Sequence, residues 1–239
     1  MDAKELIARR VAMEIEPGML VNLGIGLPTM VASFVPADKG VFFQAENGII
    51  GQGGRAPKGM ENPHLTDAGR GFVTAVPGAA SIDSTMSFGL IRGGHLDVTV
   101  LGGLQVDAAG HLANWKVPGQ MVPGMGGAMD LVTGAARVII AMQHTARGEP
   151  KIVPQCTLPL TALRRVDLVI TELAVIEPGN SGLILRERAP GVRIEDILAA
   201  TAATLIVPGE VPEMALGQPI ETGIETGIRI GIETGVDGR

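Results

Sequence analysis

The chain has no tyrosine, one tryptophan and five phenylalanines, so aromatic residues make up only 3% of its 239 positions. Nucleic-acid binders stack bases on aromatic side chains and present a basic face to phosphates. Here acidic residues outnumber basic ones, 25 against 19, for a formal charge of −6, and nucleic acid is not an expected partner. Cys156 is the only cysteine, so no disulfide can form within the chain. The four histidines, His64, His95, His111 and His144, are scattered without the short spacing of a structural zinc site, and no metal is expected. No apolar run approaches the roughly 20 residues that span a bilayer. The start, Met1-Asp-Ala-Lys-Glu, lacks a charged-then-apolar leader, so a cytoplasmic protein is expected, with no membrane partner. Neither a Walker A pattern nor a Gly-x-Ser-x-Gly elbow occurs, which leaves ATP and serine-hydrolase chemistry without a carrier.

Glycine, by contrast, is abundant, with 34 residues. That is many for a helical bundle but suits tight strand-to-helix turns. The length fits one α/β domain with a full core. Residues 3–15 read as an amphipathic helix with Ile7, Val11 and Ile15 on one stripe, Asp2 as N-cap and Pro17-Gly18 as the stop. Met19–Leu23 reads as a buried strand running into Gly24-Ile25-Gly26, with Pro28 in the first turn of a following helix. Further strands are expected at Phe72–Val76, Asp97–Leu101, Val138–Met142, Val166–Thr171 and Leu205–Val207, with Gly182–Leu185 as an antiparallel edge. Helices are expected from Asp83 or Ser84 through Ile91, over Ala128–Val132, and over Arg193–Thr201. Asp107-Ala-Ala-Gly110 reads as a turn between two short extended pieces, and Trp115 as a packing anchor. The fold class is α/β, a mostly parallel open sheet flanked by helices.

One stretch concentrates chemistry. In Val41–Gly51 a short apolar run ends in a single carboxylate, Glu46, and Asn47-Gly48 then marks a sharp turn. A strand that ends in Glu at the lip of a turn holds that carboxylate on a rigid support, the placement a nucleophile needs. Two glycine-rich stretches accompany it. Gly24-x-Gly26 follows a strand, with Glu46 at about the 20-residue distance at which a dinucleotide fold places its ribose-binding acid. The third glycine of that fingerprint is missing, because Leu27-Pro28-Thr29 stands in its place. Pro118–Gly127 precedes a helix, whose first backbone N–H groups point outward unpaired and are able to hold an oxyanion. The loop Gly51–Gly59 carries Arg55 and Lys58, read either as solvated charges or as contacts for the phosphates of a nucleotide-like ligand.

The segment Phe43-Gln-Ala-Glu-Asn-Gly-Ile-Ile-Gly51 resembles the Ser-Glu-Asn-Gly signature of the β subunit of family I CoA-transferases, the 3-oxoacid CoA-transferases, with Ala45 where that family usually has Ser. The likeness runs from about residue 3 to 207. It takes in Asn22-Leu-Gly-Ile-Gly-Leu-Pro28, Ile91-Arg-Gly-Gly-His95, Leu112-Ala-Asn-Trp115, Val122-Pro-Gly-Met-Gly-Gly-Ala-Met-Asp-Leu131, Cys156-Thr-Leu-Pro-Leu160 and Ile170-Thr-Glu-Leu-Ala174. The resemblance implies the fold of those enzymes, related to that of ribose-phosphate isomerases. It implies Glu46 as nucleophile and Gly127 as an oxyanion donor, with Gly126 beside it. It also implies that Asn22, Gly24 and Gly26 border the site, and Asn47 stands next to the nucleophile with an amide able to bond a carbonyl. Coenzyme A is then substrate and covalent intermediate, with no resident cofactor. The exchange runs between succinyl-CoA or acetyl-CoA and a 3-oxo acid such as acetoacetate or 3-oxoadipate. The implied partner is an α subunit in an obligate hetero-oligomer, because the α-type Gly-Gly-Phe motif does not occur here. Two other readings compete: a sugar-phosphate isomerase of related fold, and a non-catalytic scaffold subunit.

Beyond Pro208 the composition changes. Residues 220–235 repeat as Ile-Glu-Thr-Gly with one Ile-Arg-Ile-Gly variant. A glycine in every fourth position costs a helix about 1 kcal/mol each, so residues 208–239 read as a low-complexity, disordered tail behind a domain of residues 1–207.

Overall fold

The computed structural model describes residues 1–119 and 126–217. The chain opens with α1 (Ala3–Ala12), β1 (Leu20–Leu23), a 3-10 segment (Leu27–Phe34), β2 (Phe42–Ala45), β3 (Ile49–Arg55), β4 (Val73–Ser81), α2 (Ser84–Arg92) and β5 (Val98–Leu101). There follow β6 (Gln105–Asp107), β7 (Leu112–Ala113), α3 (Ala128–Gly134), β8 (Arg137–Ala141), β9 (Thr145–Ala146), β10 (Glu149–Pro150) and β11 (Ile152–Val153). The chain continues through β12 (Leu168–Ile170), β13 (Ala174–Gly179), β14 (Gly182–Arg188), α4 (Ile194–Ala200) and β15 (Leu205–Ile206).

Ten strands form one sheet in the order β15-β14-β13-β12-β8-β5-β1-β2-β3-β4. The five central strands, from β12 across to β2, are parallel. Antiparallel pairs flank them on both sides. A parallel sheet must be covered on both faces, and the alternation of side chains meets that demand. Val138 and Ile140 of β8 enter one core with Ile91 of α2, Leu131 of α3 and Ile197 of α4. Ile139 and Ala141 enter the other with Ile7 and Val11 of α1 and Val31 of the 3-10 segment. The mostly parallel, helix-flanked sheet agrees with the class expected from sequence.

β1 lies between β2 and β5. The chain leaves its carboxyl end toward one side and later returns on the other, and such a reversal opens a crevice above the strand ends. The Glu46 turn lies at this place.

Local signals behave as their chemistry dictates. Asp2 accepts the Lys4 N–H at 3.4 Å, and Asp83 accepts the Met86 N–H at 2.8 Å. Two expectations need correction. Gly182–Leu185 is not an edge: β14 is held on one side by β13 and on the other by β15, which takes the edge position. The neighbouring β13 has Pro178 in its ladder, a residue that argues locally against a strand, yet the strand forms.

The packed body also continues past the composition change at Pro208. Val211 and Met214 are buried, the Arg188 N–H donates to the Pro212 carbonyl at 3.0 Å, and the Met214 N–H donates to the Arg188 carbonyl at 2.9 Å. The Ile-Glu-Thr-Gly repeats lie outside the described residues. Ending the chain after Gly217 keeps both buried residues and serves as the reference. Ending it after Val207 exposes two apolar side chains' worth of core and should cost about 3–5 kcal/mol. Denaturant unfolding of the two truncations checks this, and equal midpoints would show the 208–217 segment to be dispensable.

His144 is fully buried just beyond β8, with Nδ1 at 2.9 Å from Thr171 Oγ1 and Nε2 at 2.8 Å from Thr201 Oγ1. Burial, with a smaller push from Lys151, brings its imidazole down to about 4. The unfolded chain therefore takes up a proton near pH 6.5 that the folded chain refuses until about pH 4. The stabilisation from this group is complete above pH 6.5 and is lost as pH falls toward 4, a change on the order of 3 kcal/mol. Unfolding temperature measured from pH 7.5 to 4.5 should fall more steeply for the native chain than for His144→Gln, and parallel curves would remove His144 as the cause.

Candidate active site

β2 places Gln44 and Ala45 in the core and delivers Glu46, half-buried, at its end. The turn is closed by Gly48, whose N–H donates to the Ala45 carbonyl at 2.9 Å and whose φ is 116°. A Cβ at Gly48 would also run into the Ile82 carbonyl oxygen, so both conformation and space require glycine there. Glu46 is thus fixed between a buried strand and an obligatory glycine turn.

Across the crevice, the first backbone turn of α3 meets it. The Gly127 N–H points at both carboxylate oxygens, 3.1 Å from Oε1 and 3.2 Å from Oε2. Gly126 before it has φ of 52°, the left-handed region. A cavity of about 390 Å³ opens beside this pair, lined by Asn22 of β1, Gly24 and Ile25 after that strand, Gly102 and Gly103 after β5, Trp115, Gly126 and Gly127. Among the described residues that line it, Glu46 is the only charged one. The surroundings give the carboxylate an N–H donor, glycine backbone that a substrate is able to approach closely, and few competing polar side chains.

The structure therefore gathers Glu46, Gly126, Gly127, Asn22 and Gly24 around one cavity. Gly24 serves packing as well: its N–H donates to the Val100 carbonyl at 2.8 Å, and an added Cβ would stand 3.1 Å from that oxygen. Asn22 lines the cavity, but its amide is engaged with β2. Nδ2 donates to the Gln44 side-chain oxygen at 2.8 Å and to the Gln44 carbonyl at 3.1 Å, while Oδ1 accepts from Thr99 at 3.3 Å. Two of the expected residues stand apart from this cavity. The Asn47 amide turns away and donates to the Thr66 carbonyl at 2.7 Å. Gly26 borders a neighbouring cavity of about 410 Å³ shared with Ala45, Arg55 and Asp67. Lys58 is exposed in the loop before Met60.

Sequence reading missed Gly102-Gly103 as site residues, although a glycine pair directly after a buried parallel strand beside the reversal point is the available signal. Gly103 has no room for a side chain, since a Cβ would lie 2.7 Å from Met142 Sδ. Trp115, expected as a packing anchor, does bond the Leu160 carbonyl through Nε1 at 3.2 Å, but it also walls the cavity. Cys156 lies outside that cavity lining, and burial, with Asp107 nearby, pushes its thiol up to about 12, which leaves it a poor rival nucleophile.

Comparison with known proteins places the chain. The Coenzyme A transferase family profile matches residues 4–200, and the chain belongs to that family. It is 52% identical over 219 residues to the beta subunit of acetate CoA-transferase from Haemophilus influenzae, covering 91% of this chain and 98% of that one. To the B subunit of 3-oxoadipate CoA-transferase from Acinetobacter baylyi it is 44% identical over 205 residues, covering 85% and 94%. Among solved structures, an acyl-CoA transferase from Escherichia coli O157:H7 superposes with a TM-score of 0.72 at 25% identity over 90% of this chain. The present chain spans 43% of that longer one. Glutaconate CoA-transferase from Acidaminococcus fermentans shares the fold, with a TM-score of 0.68, 20% identity and coverage of 92% and 91%. Membership of this family removes the support for a sugar-phosphate isomerase. Among the described residues, no helix is long and apolar enough to cross a membrane.

Proposed function

We propose that the chain is the β subunit of a 3-oxoacid CoA-transferase in which Glu46 is the covalent nucleophile, working together with an α subunit. The observation that carries this is the Glu46 carboxylate held against the Gly127 N–H at the mouth of the cavity.

A carboxylate suits the transfer because it conserves the thioester. Glu46 attacks the carbonyl carbon of the acyl-CoA, and the collapsing tetrahedral adduct expels CoA thiolate and leaves an acyl–glutamyl anhydride. The thiolate attacks the glutamyl carbonyl, releases the first acid as its carboxylate and forms a glutamyl-CoA thioester. The second acid's carboxylate attacks that thioester, and the thiolate returns to the new acyl carbon, restoring Glu46. This is covalent catalysis with ping-pong kinetics. Each tetrahedral adduct places negative charge on an oxygen, and a backbone N–H already within hydrogen-bond distance of the nucleophile needs little reorganisation to meet it. Anhydride and thioester both hydrolyse, so the crevice must exclude water. The α subunit is the natural cover, and the relatives are themselves named as beta or B subunits, which supports such a partner. Relatives act, by name, on acetate and on 3-oxoadipate. For this chain the proposed substrates are a short acyl-CoA, succinyl or acetyl, and a 3-oxo acid.

The test is intact mass of the chain, co-expressed with its partner, after incubation with acetoacetyl-CoA or succinyl-CoA. A CoA-sized adduct on the Glu46 peptide, discharged by adding a carboxylic acid, is expected. A folded complex that takes up no adduct from any of several acyl-CoAs would sink the proposal.

A further inference from the structure

We infer that helix α2 sets the spacing between Glu46 and the Gly127 N–H, with Ser87 and Phe88 as positioning residues; this rests on the nucleophile role given to Glu46. The first line of argument is a buried polar chain. Thr99 of β5, Asn22 of β1, Gln44 of β2 and Ser87 of α2 are each 0–2% exposed. They are joined in that order: Thr99 Oγ1 to Asn22 Oδ1 at 3.3 Å, Asn22 Nδ2 to Gln44 Oε1 at 2.8 Å, and Gln44 Nε2 to Ser87 Oγ at 2.8 Å. The centre of a parallel sheet is ordinarily apolar, and polar groups placed there are tolerated only when bonded. What such a chain adds is direction, since an amide held from both ends is confined to one rotamer.

Gln44 stands two residues before Glu46, at the carboxyl end of β2, which leads directly into the Glu46 turn. Two residues after Glu46, the Gly48 carbonyl accepts the Ile82 N–H at 2.8 Å, directly before the α2 cap Asp83. The nucleophile is therefore tied to the α2 element on both flanks.

The second line runs from α2 to the donor. A Cβ built on Gly127 would meet Phe88 Cε1 at 3.4 Å, so the ring lies against the glycine that carries the N–H. Arg92 covers that ring with its guanidinium 5.7 Å from the centroid and pairs with Asp130 of α3 at 2.7 Å. At the far end of α3, Gly134 lies so close to the Ile91 carbonyl that no side chain fits. Two successive residues of one helix thus meet the two halves of the site: Ser87 holds the strand of the nucleophile, and Phe88 abuts the turn of the donor.

A positioning role has a kinetic signature that a general stabilising role lacks. In the assembled complex, Ser87→Ala is expected to lower kcat by about 30–100-fold, the scale at which sub-ångström to ångström misplacement acts, with KM for acyl-CoA within about twofold and a slower but complete glutamyl-CoA adduct. Ser87→Thr, which keeps the hydroxyl, should recover most of the rate. Should Ser87→Ala fail to fold, Phe88→Leu takes its place and is held to the same kcat and KM pattern. A folded variant with native kcat, a loss carried by KM, or a Thr variant as slow as the Ala one would each overturn the inference. A native complex that forms no adduct would overturn the transferase reading and this inference with it, whereas a native adduct beside an unaffected Ser87→Ala overturns the inference alone.

Discussion

Glu46→Asp is expected to cut turnover of the assembled enzyme by about 10³-fold, because removing one methylene withdraws the carboxylate by about 1.5 Å from the position its support defines. That support does not follow the shortened side chain. β2 is hydrogen-bonded on both sides, to β1 and to β3, and the turn after it is pinned by the Gly48 N–H on the Ala45 carbonyl and the Ile82 N–H on the Gly48 carbonyl. The shorter carboxylate also loses its bond to the Gly127 N–H, so the attacking group and the oxyanion donor fall out of register together. Stability should change little, because Glu46 is only half-buried and this N–H is its one described hydrogen-bond donor. Steady-state kinetics with succinyl-CoA and acetoacetate, alongside Glu46→Gln as a variant of native shape without a nucleophile, measure the effect. Turnover near that of the native enzyme in Glu46→Asp, or a CoA adduct in Glu46→Gln, would remove the covalent role.

How much of this site is legible in the sequence depends on whether the determining contacts are local. The turn after Glu46 is: Asn47-Gly48 announces it, and the structure uses the glycine for its positive φ and its lack of a Cβ. The caps Asp2 and Asp83 are local too, and the buried strands β5 and β8 appear as mainly apolar runs, Val98-Thr-Val-Leu101 and Val138-Ile-Ile-Ala141, because both faces of a parallel strand are covered. The partners of Asn22 are not local. Its bonds go to Gln44 and Thr99 on adjacent strands, and strand order is a property of the whole chain. The same holds for β14, placed at the edge by local pattern and covered in fact by β15, and for Val211 and Met214, which lie in a stretch of tail-like composition and still find the core. Gly102-Gly103 and Trp115 reach the cavity wall only because β5 lies next to β1. The family resemblance supplied Gly127, but the distance that makes it meaningful comes from the packing of α3 against α2.

Gly127→Ala separates that distance from the fold, and its expected result is a loss of about 10²–10³-fold in kcat, the scale of one oxyanion donor, with the fold retained. Gly127 has φ of −84° and ψ of 5°, a conformation open to any residue, so alanine brings no backbone strain. Its methyl instead collides with Glu46 Oε2, lies 3.0 Å from Glu46 Cδ and touches Phe88 Cε1 at 3.4 Å. The group best able to yield is the carboxylate, the free end of a flexible side chain, and when it yields it leaves the N–H. The damage therefore falls on the chemistry, and the cost in stability is limited to a weaker helix N-terminus, about 1 kcal/mol. Gly126→Ala makes the contrast. Its φ of 52° lies in the left-handed region, where alanine costs about 1–2 kcal/mol, while its methyl would meet Glu46 Oε1 only at 3.3 Å. Unfolding temperature should thus fall more for Gly126→Ala, and kcat should fall more for Gly127→Ala. The opposite ordering would mean that Gly127 holds the loop and not the reacting charge.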